Sequence, residues 1–333
     1  MYGKPVWMLV SAMMLASIGV SSRGDEPRAR SLEYTPGGGD WVEVPPPSPG
    51  TPEGDLYEIR RLIKDQKARS ALRAIKKFQK CHGVSIDRHP ELQLAKAEAL
   101  IGLKDFYKAH KLLLAFLDQF GGGSHTAEAL RLEFVIAETF FTGVKRKFWG
   151  LRILSGEDIA YQILDDISVN FPDMPLAQYA IKTKADYLFA NGEHAMAELE
   201  YARLLKEYPS SQYTQYALRR SAEAALASFA GVLYDDSALI EAEERYRDYM
   251  ARYGLIAERE GVGLIVANIH ERRAEKTYAI GEYYERTDHL SSAVFYYQGV
   301  VQTWPNSTAA RKAGNRLELL QPTGPVATAA TQE

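Results

Sequence analysis

The chain has 333 residues, 46% of them hydrophobic and 25% charged, a balance that predicts a folded globular protein and excludes a wholly disordered one. Its 40 basic and 43 acidic residues leave a formal charge of −3, so there is no overall basic excess of the kind nucleic-acid binding uses. The single cysteine, Cys81, excludes an intrachain disulfide.

The first predicted element is an export signal over residues 1–22. Lys4 supplies the positive start, Val6 to Val20 is an apolar run, and Val20-Ser21-Ser22 offers small residues for cleavage before Arg23. That run is about fifteen residues against the ~20 of a bilayer-spanning helix, so cleavage is expected rather than anchoring. Residues 23–53 read as a linker. Pro27, Pro36, Pro45, Pro46, Pro47, Pro49 and Pro52, with Gly37-Gly38-Gly39, favour extended chain over a packed core.

Residues 54–321 repeat. Six segments each carry a key alanine: Ala71, Ala109, Ala160, Ala197, Ala242 and Ala293. Four residues on come Ile75, Leu113, Leu164, Tyr201, Tyr246 and Tyr297. Seven on come Phe78, Phe116, Ile167, Leu204, Tyr249 and Val300. Eleven on stand His82, Phe120, Phe171, Tyr208, Tyr253 and Trp304, followed by Gly83, Gly121, Pro172, Pro209, Gly254 and Pro305. These offsets place the large residues on one helical stripe, with the alanine admitting a close neighbour and Pro or Gly ending the helix. Ser210-Ser211, Ser307, and Asp173 with Pro175 read as the starts of the helices that follow.

An earlier helix in most units puts Ala97, Ala185, Ala230 or Gly281 twelve residues before the key alanine, and Leu100, Leu188, Leu233 or Tyr284 nine before. Asn191-Gly192 and the segment Gly102 to Asp105 mark the turns between paired helices. Uneven spacing implies insertions near 143–155, 227–236 and 254–267. Ser307 to Leu320 reads as a capping helix with Ala310, Leu317 and Leu320 facing inward. Residues 322–333 read as a disordered tail. The expected fold is all-α: a tetratricopeptide-type helical solenoid of about six helix pairs with a C-terminal capping helix.

No residue pattern points to catalysis, a cofactor or a metal, and the chain is read as a non-enzyme. The seven histidines form neither an H-E-x-x-H pair nor a Cys/His cluster. Gly121-Gly122-Gly123-Ser124 lacks the lysine and preceding strand of a phosphate loop. Asp165-Asp166 reads as solvated helix surface, Asp235-Asp236 as turn or cap chemistry, and Cys81 as inert despite Lys80 and His82 beside it.

The insertion at 143–155 carries the candidate contact residues. Lys145, Arg146, Lys147 and Arg152 surround Phe148 and Trp149 in an otherwise slightly acidic chain. Either the aromatics fold back onto the neighbouring repeat, or Lys145, Arg146, Lys147, Phe148 and Trp149 dock a protein partner or an anionic membrane surface.

The key alanine, the large residue four on and the proline at Pro172, Pro209 and Pro305 resemble the tetratricopeptide repeat. The stretches Phe171 to Tyr213, Tyr234 to Gly254 and Gln302 to Ala310, with aromatic-proline steps at Tyr208-Pro209-Ser210-Ser211 and Trp304-Pro305-Asn306-Ser307, resemble the BamD family of outer-membrane protein assembly factors. That resemblance implies a periplasmic stack of repeats at the outer membrane, binding a barrel-forming assembly protein and unfolded barrel substrates. The chain departs from the family in having no cysteine directly after its signal and six repeat units rather than five. An envelope coordinator linked to peptidoglycan or cell division stays open as an alternative, and a helical-repeat enzyme lacks a motif to support it.

Overall fold

The computed structural model describes residues 31–34, 41–44, 47–148, 151–229, 231 and 235–320. The expected signal and tail lie outside them. The chain divides into two compact units, Met1–Val84 and Ser85–Glu333.

In the first unit, β1 (Ser31–Tyr34) pairs antiparallel with β2 (Trp41–Val44), and α1 (Pro52–Lys64) packs on α2 (Ala68–His82). The stretch read as a linker therefore contains a hairpin, and α1 starts inside its last residues. The β-prone residues Leu32, Tyr34, Trp41, Val42 and Val44 outweigh the surrounding Pro and Gly. Thr51 caps α1, its hydroxyl accepting from Gly54 N at 3.1 Å, and Pro52 occupies the first turn where no N–H is needed.

The second unit holds α3 (Pro90–Gly102) with α4 (Phe106–Phe120), α5 (Thr126–Phe141) with α6 (Glu157–Asn170), and α7 (Pro175–Ala190) with α8 (His194–Glu207). Then come α9 (Thr214–Ala227) with α10 (Ser237–Arg252), the short α11 (Gly254–Arg259), α12 (Val262–Arg286) with α13 (Leu290–Thr303), and α14 (Thr308–Leu320). Each helix packs mainly on its sequence neighbours, the logic of a helical solenoid. The core is accordingly a relay of apolar clusters: one spans α3 to α7, the next α7 to α9, the next α9 to α12, and the last α12 to α14.

All six key alanines are fully buried at 0% exposure, and the residues four and seven positions on are at most 2% exposed. The aromatic column eleven on is half-buried throughout, and the helix stops one or two residues before the Pro or Gly. Tyr208 uses its half-exposed position to donate to the Pro172 carbonyl at 2.9 Å, tying one stop loop to the previous one.

The turns between paired helices share a backbone device that the side-chain columns do not show. Five residues before the key alanine, Gln66, Lys104, Gly192 and Asp288 adopt left-handed φ of 58°, 57°, 83° and 61°. The next residue's N–H then bonds the carbonyl five positions back: Lys67 to Leu62, Asp105 to Leu100, Glu193 to Leu188, and His289 to Tyr284. This closes each first helix with the Schellman pattern. Among the described residues the α5/α6 and α9/α10 pairs, whose connections are the longer ones, do not show this turn and hydrogen bond five residues before the key alanine.

Several local expectations change. The insertion at 143–155 is a β-hairpin, β3 (Arg146–Phe148) paired antiparallel with β4 (Leu151–Leu154). Ala230 and Leu233 lie outside the described residues, and α9 ends at Ala227, so the small residues packed with Ala242 are Ala222 and Ala225. Gly254 is not a left-handed cap; it starts α11, and the extra length goes into a 25-residue α12. Met174, not Asp173, occupies the cap of α7, because Pro175 takes the first helical position and holds the residue before it extended. Ser307 does cap α14, accepting from Ala310 N at 2.9 Å, while the Glu271 carboxylate accepts from Thr308 and Ala309 N–H. On α14 Ala310 is buried, and Leu317 and Leu320 are partly buried against the last cluster.

Candidate functional site

Of the residues singled out in the insertion, Trp149 lies outside the described residues, as do the side chains of Lys147 and Phe148. Lys145 is exposed. Arg146 is engaged: its Nε donates to the Ser155 carbonyl at 2.6 Å, its Nη2 to Asp158 at 3.0 Å, and its guanidinium lies 5.4 Å from the Tyr107 ring. Arg146 thus pins the foot of the hairpin to α6 and α4. The repeat residues Ala71, Ala109, Ala160, Ala197, Ala242 and Ala293 are packing residues, and Pro172, Pro209 and Pro305 are exposed helix stops.

The chemistry that sequence reading left unassembled sits on the first helices of successive pairs. Phe134, Glu138 and Phe141 share a stripe on α5. Tyr179, Lys182, Asp186 and Phe189 follow at offsets 0, 3, 7 and 10 on α7, and the same offsets recur in Tyr213, Tyr216, Arg220 and Glu223 where α9 begins. The rings run from helix to helix: Phe134 to Tyr179 at 5.0 Å, Tyr179 to Tyr213 at 6.0 Å, and Phe141 stacked on Tyr187 at 3.7 Å. Apart from buried Phe134 these rings are half-buried, so the stripe is both anchored and open to solvent.

Charged groups are threaded between the rings in pairs. Asp186, 8% exposed, accepts from the hydroxyls of Tyr201 at 2.5 Å and Tyr216 at 2.8 Å, and from Lys182 Nζ at 2.7 Å. Lys182 sits within reach of three tyrosine faces, at 5.8 Å from Tyr179, 5.9 Å from Tyr213 and 4.5 Å from Tyr216. Arg220 lies 3.7 Å over the Phe189 ring and donates to Glu223 at 2.6 Å. Burial, reinforced by the Asp186 charge, pushes the Tyr201 and Tyr216 hydroxyls far above their ordinary range. They therefore stay protonated donors, which keeps Asp186 answered without a mobile proton. Burial also raises the Glu138 carboxyl.

Four histidines find carboxylates, one of them His125, at 3.6 Å from Glu128. His82 meets Asp55 at 2.9 Å in the first unit, His110 meets Glu133 at 2.8 Å, and His270 meets Glu243 at 2.9 Å. Asp165-Asp166 is not plain solvated surface: Asp165 pairs with Lys184 at 2.7 Å, and burial raises Asp166. Asp235 lies at the start of α10, where hydrogen bonds from Ser237 hold its carboxyl below the usual range. Cys81 is exposed. Among the described residues no group of three metal-ligating side chains converges, and no helix is long and apolar enough to cross a membrane.

What the α5–α7–α9 face can do is bind. Its rings offer stacking area at low entropy cost, and its paired charges offer donors and acceptors already held in place. The signal for it was the repeated 0, 3, 7, 10 spacing, hidden because the buried columns dominate the pattern.

No family model matches the chain, and no curated protein matches it. Solved structures that resemble it include the C-terminal part of a TPR repeat-containing protein from Cytophaga hutchinsonii, at 12% identity and a TM-score of 0.27, covering 78% of this chain and 98% of that one. The TPR domain of P58(IPK) resembles it at 17% identity and a TM-score of 0.24, covering 80% of this chain and 66% of that one. At such scores the assignment of repeat type rests on the buried columns and helix pairing of this chain itself.

Proposed function

We propose that this chain is a non-catalytic scaffold that holds protein partners along the α5–α7–α9 face. The observation that carries the reading is the aromatic stripe that runs from buried Phe134 to half-buried Tyr179 and Tyr213, studded with paired charges. Half-exposed rings leave stacking area open to a partner, which the fully buried alanine columns do not. Extended or helical segments of a partner fit such a surface.

The setting we propose is the periplasmic face of the outer membrane, in the assembly of outer-membrane β-barrel proteins. Two features support it: the signal read in residues 1–22, and the resemblance of Phe171 to Tyr213 to BamD proteins, a stretch that includes the whole α7 part of the face. The hairpin with Lys145, Arg146, Lys147, Phe148 and Trp149 is a second proposed contact, for the same partner or for the anionic membrane beside it.

The test is crosslinked co-purification from cell envelopes with wild-type protein and a Tyr179→Ala/Tyr213→Ala variant. Capture of a barrel-forming assembly protein, lost in the folded variant, is the expected result. Capture of peptidoglycan or division proteins would move the setting, and equal capture by the variant would remove the face from the reading. N-terminal sequencing of the native protein checks export, with a mature start near Arg23 expected.

A further inference from the structure

Where the α3/α4 pair meets the α5/α6 pair, three titratable side chains from three helices line one small cavity. His110 of α4 and Glu133 of α5 are each 2% exposed, and His110 Nδ1 lies 2.8 Å from Glu133 Oε2. Glu133 Oε1 is buried without a hydrogen-bond partner. Asp166 of α6 lines the same small cavity, about 20 Å³, together with Leu117, Ile163 and Phe171. The surrounding charges are few. Asp165 acts on Asp166 from α6 itself, and Lys184 of α7 and Arg203 of α8 reach Asp165 at 2.7 and 3.9 Å on the outer side.

One imidazole faces two carboxylates in a low-dielectric junction. Even protonated, His110 neutralises only one of them, so full ionisation leaves a net negative charge among apolar side chains. A proton bound to the cluster removes that charge without moving a helix.

We propose that His110, Glu133 and Asp166 form a proton-binding joint, which holds the second and third helix pairs together in mildly acidic conditions and loosens them as pH rises. Burial supports this direction: it lifts the Glu133 carboxyl above its ordinary 4.5, overcoming the opposing hydrogen bond from His110, and lifts Asp166 above 3.8. A carboxyl raised in the folded state contributes its stability in full below the unfolded value and loses it as pH climbs through the raised value. Because a repeat stack is stabilised pair by pair, a weakened junction is felt locally. One of the three helices of the joint, α5, also carries the stripe of Phe134, Glu138 and Phe141 that opens the binding face. The joint is a property of packing and holds whichever partner that face takes.

The test uses the full chain and its Glu133→Gln variant, which keeps the side-chain shape and removes the titration. Thermal unfolding and amide hydrogen exchange are followed between about pH 4 and pH 8, with exchange corrected for its intrinsic pH dependence. The two proteins should match near the acidic end. Towards the alkaline end the variant should become the more stable, and wild-type amides in α4, α5 and α6 should exchange faster than the variant's, by up to roughly tenfold for each unit by which the carboxyl is raised. Asp166→Asn, at a half-exposed position, should act in the same sense and more weakly, and it serves if Glu133→Gln does not fold. A difference between wild type and variant that is constant with pH, or that favours wild type as pH rises, overturns the joint.

Discussion

At the residue scale the alanine column sets how closely the helices pack. Ala197 is fully buried against Ile181, Ala185, Tyr201 and Leu204. Ala197→Arg should cost several kcal/mol, roughly 3 or more, since it overpacks the contact and buries a charge. An unchanged melting temperature would show that α8 does not pack as described. The turn residues allow a subtler check. Gly192 sits at φ 83° with nothing within 4 Å of an added Cβ, so Gly192→Ala isolates backbone strain and should cost about 1 kcal/mol. Lys104 holds the same turn position with a side chain, at φ 57°, and Lys104→Gly should be neutral or slightly stabilising, in contrast to the usual loss for glycine. Equal losses at both positions, read by chemical denaturation, would contradict the shared left-handed turn. These packing residues were legible in the sequence because burial demands a fixed offset from a small residue. The left-handed turn was only half legible: Gly192 announced it, whereas Gln66, Lys104 and Asp288 carry it with residues that do not ordinarily mark it.

At the element scale the insertion between α5 and α6 shows where sequence reasoning stops. Its basic-aromatic composition was plain, but composition does not say which cation is already used. Arg146 is half-buried and bound to Ser155, Asp158 and the Tyr107 ring, whereas Lys145 stands exposed. Arg146→Ser should therefore lower stability by about 1 kcal/mol, the usual worth of such a hydrogen-bonded contact, while Lys145→Ser leaves it unchanged. If the hairpin docks on an anionic surface, Lys145→Ser combined with Lys147→Ser should weaken liposome or partner binding most at low salt. Binding at wild-type strength under those conditions would leave the hairpin as an anchored turn. The helix pairs themselves were readable because each repeats one amphipathic stripe. The β-hairpins were not, since three- and four-residue strands leave no periodicity to detect.

At the scale of the whole molecule, two kinds of surface come from one repeat. The second helix of each pair supplies the buried column of Ala and large residues. The first helices α5, α7 and α9 turn a half-buried aromatic stripe outward, and that stripe escaped sequence reading because its partners lie more than thirty residues apart, as Phe134 and Tyr179 do. Asp186 illustrates the point: in sequence it is one acidic residue among many, and only folding brings Lys182, Tyr201 and Tyr216 onto its carboxylate. This stripe is where we propose that partners bind. The most direct measurement is site-specific photocrosslinking in living cells, with a photoreactive residue placed at Tyr179 or Tyr213 and, as controls, at the exposed second-helix positions Lys108 and Arg252. Discrete protein adducts are expected from Tyr179 and Tyr213 and none from the controls. Adducts confined to Lys108 or Arg252, with Tyr179 and Tyr213 silent in a folded protein, would contradict it.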